Sequence, residues 1–226
     1  MAHFVLVHGA SHGGWSWRHV VPRLEAMGHQ AIAVDLPSHE NVTLAEYRDT
    51  VLAAVEPGSI LVGHSLGGLT ITLAGAVRPE LNALIYVAAF VPDPGTCFVE
   101  FRKDAVSAAV SDVTEREGGF SLPLPDVAAD VFYNHCSEDD RAFALARMSP
   151  QPISVMTETL DFDPPNLPRH FVICADDRVV LPAYQHRITE GWPQGTVHEL
   201  ATGHSPFFSD PDGLAGILGA IADQEE

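Results

Sequence analysis

Apolar and polar positions along this chain fall into two alternating rhythms. His3 to Val7 is a short apolar run ending at His8-Gly9, which predicts a buried strand. Trp15 to Met27 then has helical spacing through Trp17, Val20, Val21, Leu24 and Met27, with Gly28 as its stop. Pro22 lies inside that segment and predicts an irregular first turn. Gln30 to Leu36 reads as a strand, with Asp35 near its end, and Leu44 to Val55 as an amphipathic helix closed by Pro57-Gly58. Ser59 to Val62 reads as a strand, Leu66 to Val77 as a buried helix of small and apolar residues, and Leu84 to Phe90 as a continuous apolar strand.

The rhythm breaks after Phe90. From Pro92 to about Arg169 the chain is rich in Pro, Asp and Ala, with no clear strand. Helices are expected near Val99 to Val110 and Asp139 to Arg147. So broken a stretch buries too little apolar surface to stand alone and reads as an insertion into one domain. The alternation then resumes with a strand at His170 to Ala175, a helix at Leu181 to Glu190, a strand at Gly195 to Leu200 and a last helix at Leu214 to Ala222. Strands alternating with helices imply a mostly parallel sheet, joined by right-handed crossovers and covered on both faces.

Composition narrows the function classes. With 226 residues, 46% hydrophobic and 19% charged, the chain has the makeup of a folded domain. A net charge of −18 repels phosphate backbones and argues against nucleic acid as a partner. No stretch approaches a membrane span, and the N-terminus lacks the basic region of a signal peptide. Cys97, Cys136 and Cys174 are odd in number and form no Cys-x-x-Cys pair, which points to a reducing, cytoplasmic setting. Monomer and homodimer are both left open.

Gly63-His64-Ser65-Leu66-Gly67 carries the chemistry. It fits Gly-x-Ser-x-Gly between a strand and a helix, the context of a nucleophile elbow. A serine needs a base, and the base needs an orienting acid. His204 follows the last strand, and Asp176 and Asp177 follow the strand before it, so all three segments end on one sheet edge. Asp177 is the favoured acid, one step further into the loop; Asp176 and Asp93 are the alternatives. The oxyanion donors are expected to be the N–H groups of Leu66 and of Ala10, in the small-residue loop His8 to Gly14. His8 and His12 stand four apart in that loop with no carboxylate beside them, so no metal site is read there. No nucleotide fingerprint is present, and no cofactor is expected. His64 is expected to pack or bond locally, Ser205 to cap a helix, and Trp15 and Trp17 to line core or pocket.

Phe4-Val5-Leu6-Val7-His8-Gly9-Ala10, Val34-Asp35-Leu36-Pro37, Gly63 to Gly68, Ala88 to Asp93 and Cys174-Ala175-Asp176-Asp177-Arg178 together resemble the α/β-hydrolases. The branch they are most similar to holds the plant methyl esterases, the hydroxynitrile lyases and bacterial esterases. The resemblance implies an α/β-hydrolase fold with six strands, a lid formed by residues 92–169 over Ser65, and Asp177 rather than Asp176 as the acid. Lyases of that branch carry threonine where Gly9 stands and lysine where Ser205 stands, so the resemblance favours the esterases. The expected activity is hydrolysis of small to medium carboxylic esters through Ser65, His204 and Asp177. The rivals are a lyase or tailoring enzyme on the same groups, and a non-catalytic receptor. The expected pocket draws on Gly9, Ser11, His12, Trp15 and His64, and on apolar lid residues Phe98, Phe101, Phe120, Leu122, Phe132 and Met156.

Overall fold

Strands that are apolar at nearly every position need cover on both faces, and the sheet is built that way. The computed structural model describes residues 1–107 and 114–225, excepting the side chains of residues 101, 102 and 114–117. Six strands, β1 (His3–Val7), β2 (Gln30–Val34), β3 (Ile60–His64), β4 (Ala83–Val87), β8 (Arg169–Cys174) and β9 (Val197–Leu200), lie in the order β2-β1-β3-β4-β8-β9. Every neighbouring pair is parallel. Side chains alternate between the faces with the two-residue period of a strand. Phe4, Leu6, Ile60 and Val62 join one core, while Val5, Val7, Leu61 and Tyr86 join the other. The first face is covered by α1 (Val21–Ala26) and α10 (Pro211–Glu225) through Leu24, Leu214 and Leu218. The second is covered by α2 (Leu44–Leu52) and α3 (Gly67–Val77) through Val51, Ile71 and Ala74.

The chain enters the sheet at β1, steps outward to β2, then crosses back to β3 and builds the other half. The C-terminal ends of β1 and β3 therefore flank the point where the winding direction changes. Loops leaving such a point diverge to opposite sides and open a crevice. This topology puts the loop after Val7 beside Ser65.

Local departures from the sequence reading have local causes. The expected helix from Trp15 splits into a 3₁₀ turn over Gly14–Trp17 and α1, with Pro22 in the first turn of α1 and Gly28, at φ +89°, ending it. α2 begins at a reciprocal capping box between Thr43 and Glu46. The larger correction concerns residues 92–169, expected to lack strands. They contain an antiparallel sheet of β5 (Thr114–Glu117), β6 (Phe120–Pro123) and β7 (Gln151–Pro152). Its strands are two to four residues long, too short to show a period of their own. Among the described residues, the helices α4 (Phe98–Phe101), α5 (Pro125–Val131), α6 (Glu138–Leu145) and α7 (Ser154–Thr157) accompany it. The helix expected over Val99 to Val110 is a single turn at α4 followed by a 3₁₀ turn at Arg102–Asp104, and residues 108–110 lie outside the described set. α8 (Pro182–Ile188) and the short α9 (Pro206–Ser209) complete the elements. Among the described residues, no helix is long and apolar enough to cross a membrane.

Two glycines on different helices separate packing from propensity. A Cβ on Gly68, in α3, would overlap the carbonyl oxygen of Phe90 and lie 3.1 Å from Ala89 Cβ. Gly68→Ala is expected to destabilise by about 1–3 kcal/mol, because backbone must move. Gly216, in α10, has nothing within 4 Å of the same position. Gly216→Ala is expected to stabilise by about 0.5–1 kcal/mol through helix propensity. Urea denaturation of both variants checks the pair, and equal midpoints would contradict the close approach at Gly68.

Candidate active site

Ser65 is the first residue beyond β3 and has φ +52°, a left-handed conformation uncommon for a residue with a Cβ. Such strain costs on the order of 1–3 kcal/mol and persists only where surroundings enforce it. Here Ser65 N–H donates to Val87 O at 3.2 Å, and Ser65 O accepts from Gly68 N–H and Phe90 N–H, both at 3.1 Å. The surrounding glycines make the turn sterically possible. A Cβ on Gly63 would lie 2.7 Å from Gly67 O, and one on Gly67 would lie 2.7 Å from His8 O. A Cβ on Gly9 would lie 2.8 Å from Ser65 Cβ and 2.9 Å from His64 Nδ1. A side chain at position 9 would therefore require Ser65 or His64 to shift.

Asp177 and His204 meet at the ends of β8 and β9. Asp177 Oδ2 lies 2.8 Å from His204 Nδ1, with both side chains fully buried. The carboxylate is held at three further points. Oδ1 accepts from Val179 N–H at 2.7 Å and Val180 N–H at 2.9 Å, and Oδ2 accepts from Gln185 Nε2 at 3.1 Å. With only donors around it, the carboxylate accepts from His204 Nδ1–H, so the Nε2 lone pair is open. His204 Nε2 is buried and has no hydrogen-bond partner among the described residues. Of the rival acids, Asp176 is exposed and lies 3.7 Å from His135, and Asp93 is exposed. Neither is brought to His204.

The loop after β1 brings Ala10 beside the elbow. Ala10 and Leu66 line the same cavity as Ser65, and neither backbone N–H has an acceptor among the described residues. Three buried histidines frame this edge. His8 Nε2 accepts from Leu36 N–H at 3.1 Å, which can only donate, so the ring proton sits on Nδ1 and bonds Gly9 O at 2.8 Å. His12 Nδ1 lies 2.7 Å from Ala10 O, and His12 Nε2 lies 2.9 Å from Tyr133 Oη. His64 donates from Nε2 to His204 O at 2.8 Å. His64 therefore bonds across the fold, not locally as its sequence position suggested. Burial holds the His8 and His64 imidazoles below their ordinary pKa, and the neighbouring His204 and His12 add to the effect at His64. Burial likewise pushes His12 down to about 3.

A cavity of about 400 Å³ opens over Ser65. Phe98, Phe132, Met156 and Ser11 line it, as the sequence suggested, together with Phe90, Val179 and Gln151, which sequence reasoning missed. Phe120 and Leu122 do not line it; Ser121 and Pro123, the alternate positions of β6, do. The Phe101 side chain lies outside the described set. Gly9, His12, Trp15 and His64 are not part of its lining. His12 and Trp15 instead stack with ring centroids 5.3 Å apart and border a smaller cavity of about 160 Å³. Ser205 occupies the N-cap position of α9, but its side chain makes no capping bond and its Oγ is buried without a partner among the described residues. Gln185 and the Val179-Val180 turn were also missed as supports of Asp177, although an Asp followed two residues later by a turn N–H is a readable Asx pattern.

The three neutral histidines set a sign for stability against pH. Each titrates near 6.5 when unfolded and lower when folded, so the unfolded chain binds more protons below that value. Their contribution is complete above pH 6.5 and is lost on acidification, for His12 down to about pH 3. The urea midpoint is expected to fall between pH 7 and pH 5, while ¹⁵N spectra show His12 still neutral with its proton on Nδ1. A charged His12 at pH 5 would contradict the assignment.

Residues 4–217 match the alpha/beta hydrolase family. Methylesterase 7 of Arabidopsis thaliana is 34% identical, over 98% of this chain and 96% of its own length. The carbendazim hydrolyzing esterase of Nocardioides sp. (strain SG-4G) is 30% identical, over 98% of this chain and 100% of its own. The crystal structure of a pyrethroid hydrolase from Sphingobium faniae JZ-2 superposes with a TM-score of 0.86 at 26% identity, covering 98% of this chain and 97% of that one. An all-parallel sheet of six strands, an elbow serine at its switch point and similarity along nearly its whole length establish that this chain belongs to the alpha/beta hydrolase family.

Proposed function

We propose that this protein is a serine esterase acting on small to medium carboxylic esters. Ser65 Oγ attacks the ester carbonyl while His204 Nε2 takes its proton. The tetrahedral intermediate collapses to an acyl-enzyme as His204 returns that proton to the departing alcohol. Water then enters by the same route in reverse and releases the acid. Asp177 keeps His204 in the tautomer that leaves Nε2 basic, and the N–H groups of Ala10 and Leu66 hold the developing oxyanion.

The observation that carries this reading is the buried 2.8 Å contact between Asp177 and His204, which leaves Nε2 as an unpartnered acceptor. The esterases among the relatives support the same chemistry. The 400 Å³ cavity is walled chiefly by apolar residues such as Phe90, Phe98, Phe132 and Met156, which suits an apolar ester. Residues 92–169 act as a lid on this single domain. The lyase reading has no comparable support, since position 9 carries no threonine and Ser205 supplies no charge beside His204. The three cysteines are free and buried, in keeping with a reducing cytoplasm.

Turnover of p-nitrophenyl acetate and butyrate is expected, with covalent capture of Ser65 by a fluorophosphonate. Ser65→Ala should lower kcat by roughly 10⁴- to 10⁶-fold and remove the adduct. Full turnover in that variant would sink the nucleophile assignment. Asp177→Asn should lower kcat by about 10⁴-fold, as loss of the correct tautomer does elsewhere. Asp176→Asn and Asp93→Asn should stay near wild type; a reversed pattern would move the acid to another residue.

A further inference from the structure

Ala10 sits between two peptide units, and both are held by one residue. Gly9 O and Ala10 N–H belong to the same planar unit, so whatever fixes that carbonyl also aims that N–H. Gly9 O accepts from His12 N–H at 3.3 Å as well as from the His8 ring. Ala10 O, in the next unit, accepts from the His12 ring at 2.7 Å. His12 therefore grips consecutive carbonyls, one with its backbone and one with its imidazole. Ser11 between them has φ +62°, which folds the loop back far enough for both bonds. Ser11 N–H and O are also engaged, by Gln151 Oε1 at 3.3 Å and Ser149 N–H at 3.1 Å.

The imidazole is held from outside the loop. A carbonyl can only accept, so the His12 proton lies on Nδ1, and Nε2 must accept from Tyr133 Oη–H. Tyr133 is fully buried just beyond α5, and its burial keeps the phenol protonated and able to donate. Trp15, stacked on the ring, and Phe132, 5.9 Å away between centroids, restrict its rotation. His12 lines no part of the main cavity, so substrate contact does not explain this arrangement.

We propose that His12 is a positioning residue for the oxyanion site, and that Tyr133 fixes its tautomer and orientation. The segment between β4 and β8 thereby reaches the chemistry through Tyr133-His12-Ala10, in addition to walling the pocket. This rests on the reading of Ala10 N–H as an oxyanion donor.

The test compares His12→Leu, His12→Asn and Tyr133→Phe for kcat, KM, thermal midpoint and affinity for a trifluoromethyl ketone, which forms an oxyanion on the serine. His12→Leu removes the ring donor, and kcat is expected to fall about 10- to 100-fold, less than outright loss of an oxyanion donor. KM should stay within about threefold, since ground-state binding is not touched, and ketone affinity should fall with kcat. Asparagine places an amide N–H where Nδ1–H stood and should recover most of the lost kcat. Tyr133→Phe should show the same pattern at several-fold size. A folded His12→Leu with kcat within twofold of wild type, a loss lying wholly in KM, or an asparagine no better than leucine would overturn the proposal. If His12→Leu does not fold, Tyr133→Phe decides: unchanged kcat and ketone affinity overturn it, and a joint fall upholds it. Ser65→Ala run alongside separates the readings, because its retained turnover would instead remove the esterase assignment.

Discussion

Backbone passes unusually close to backbone where β1, β3 and α3 converge, and the site depends on that approach. The carbonyls of Val7 and His8 lie where a side chain on Gly67 would be, and the carbonyl of Phe90 lies where one on Gly68 would be. Because α3 is pressed this closely to the sheet, the chain must turn sharply at residue 65, and a serine is held at φ +52°. The same approach brings the loop after β1 against the serine and leaves Ala10 and Leu66 lining one cavity. Positions 9, 63, 67 and 68 are therefore one steric requirement, not four separate preferences.

Neutral imidazoles hold this geometry without adding charge. His8, His12 and His64 each donate to a carbonyl of a site loop, at residues 9, 10 and 204 respectively. A lysine or arginine could make similar bonds but would bring a buried cation beside His204. Burial, which keeps these rings neutral, is also what makes their hydrogen bonds strong and their loss costly.

The parallel sheet was legible because its strands are apolar on both faces and bounded by turn residues. Ser65, Asp177 and His204 could be found because each follows such a strand, so topology alone brings them to one edge. What escaped the sequence depends on distant contacts. β6 meets β7 through Ser121 and Gln151, and neither strand is long enough to show a period. Tyr133 meets His12 across 121 residues, and His64 meets His204 across 140. No local pattern encodes those partnerships. The Phe120 and Leu122 side chains were misplaced for a related reason: without the strand, there was no alternation to say which face they take.

The segment between β4 and β8 meets the sheet-edge loops at several points, and one of them, a dipeptide that bonds two loops at once, constrains how the family can diverge. Tyr133 bonds the loop after β1, and its neighbour Asn134 donates from Nδ2 to Asp176 O at 2.9 Å, beside Gly203, whose lack of a side chain leaves room for the amide. Ser149 and Gln151 also bond the loop after β1, and Ala105, Ser107 and Asp130 bond the loop after β8. Insertions, deletions and replacements between these points can reshape the cavity while the sheet edge stays intact. The stretch joining α5 to α6 has no such freedom, since a shift of one residue would unseat both bonds at once. Cavity shape in this architecture is free to drift around a few fixed contacts, the Tyr133-Asn134 dipeptide foremost among them.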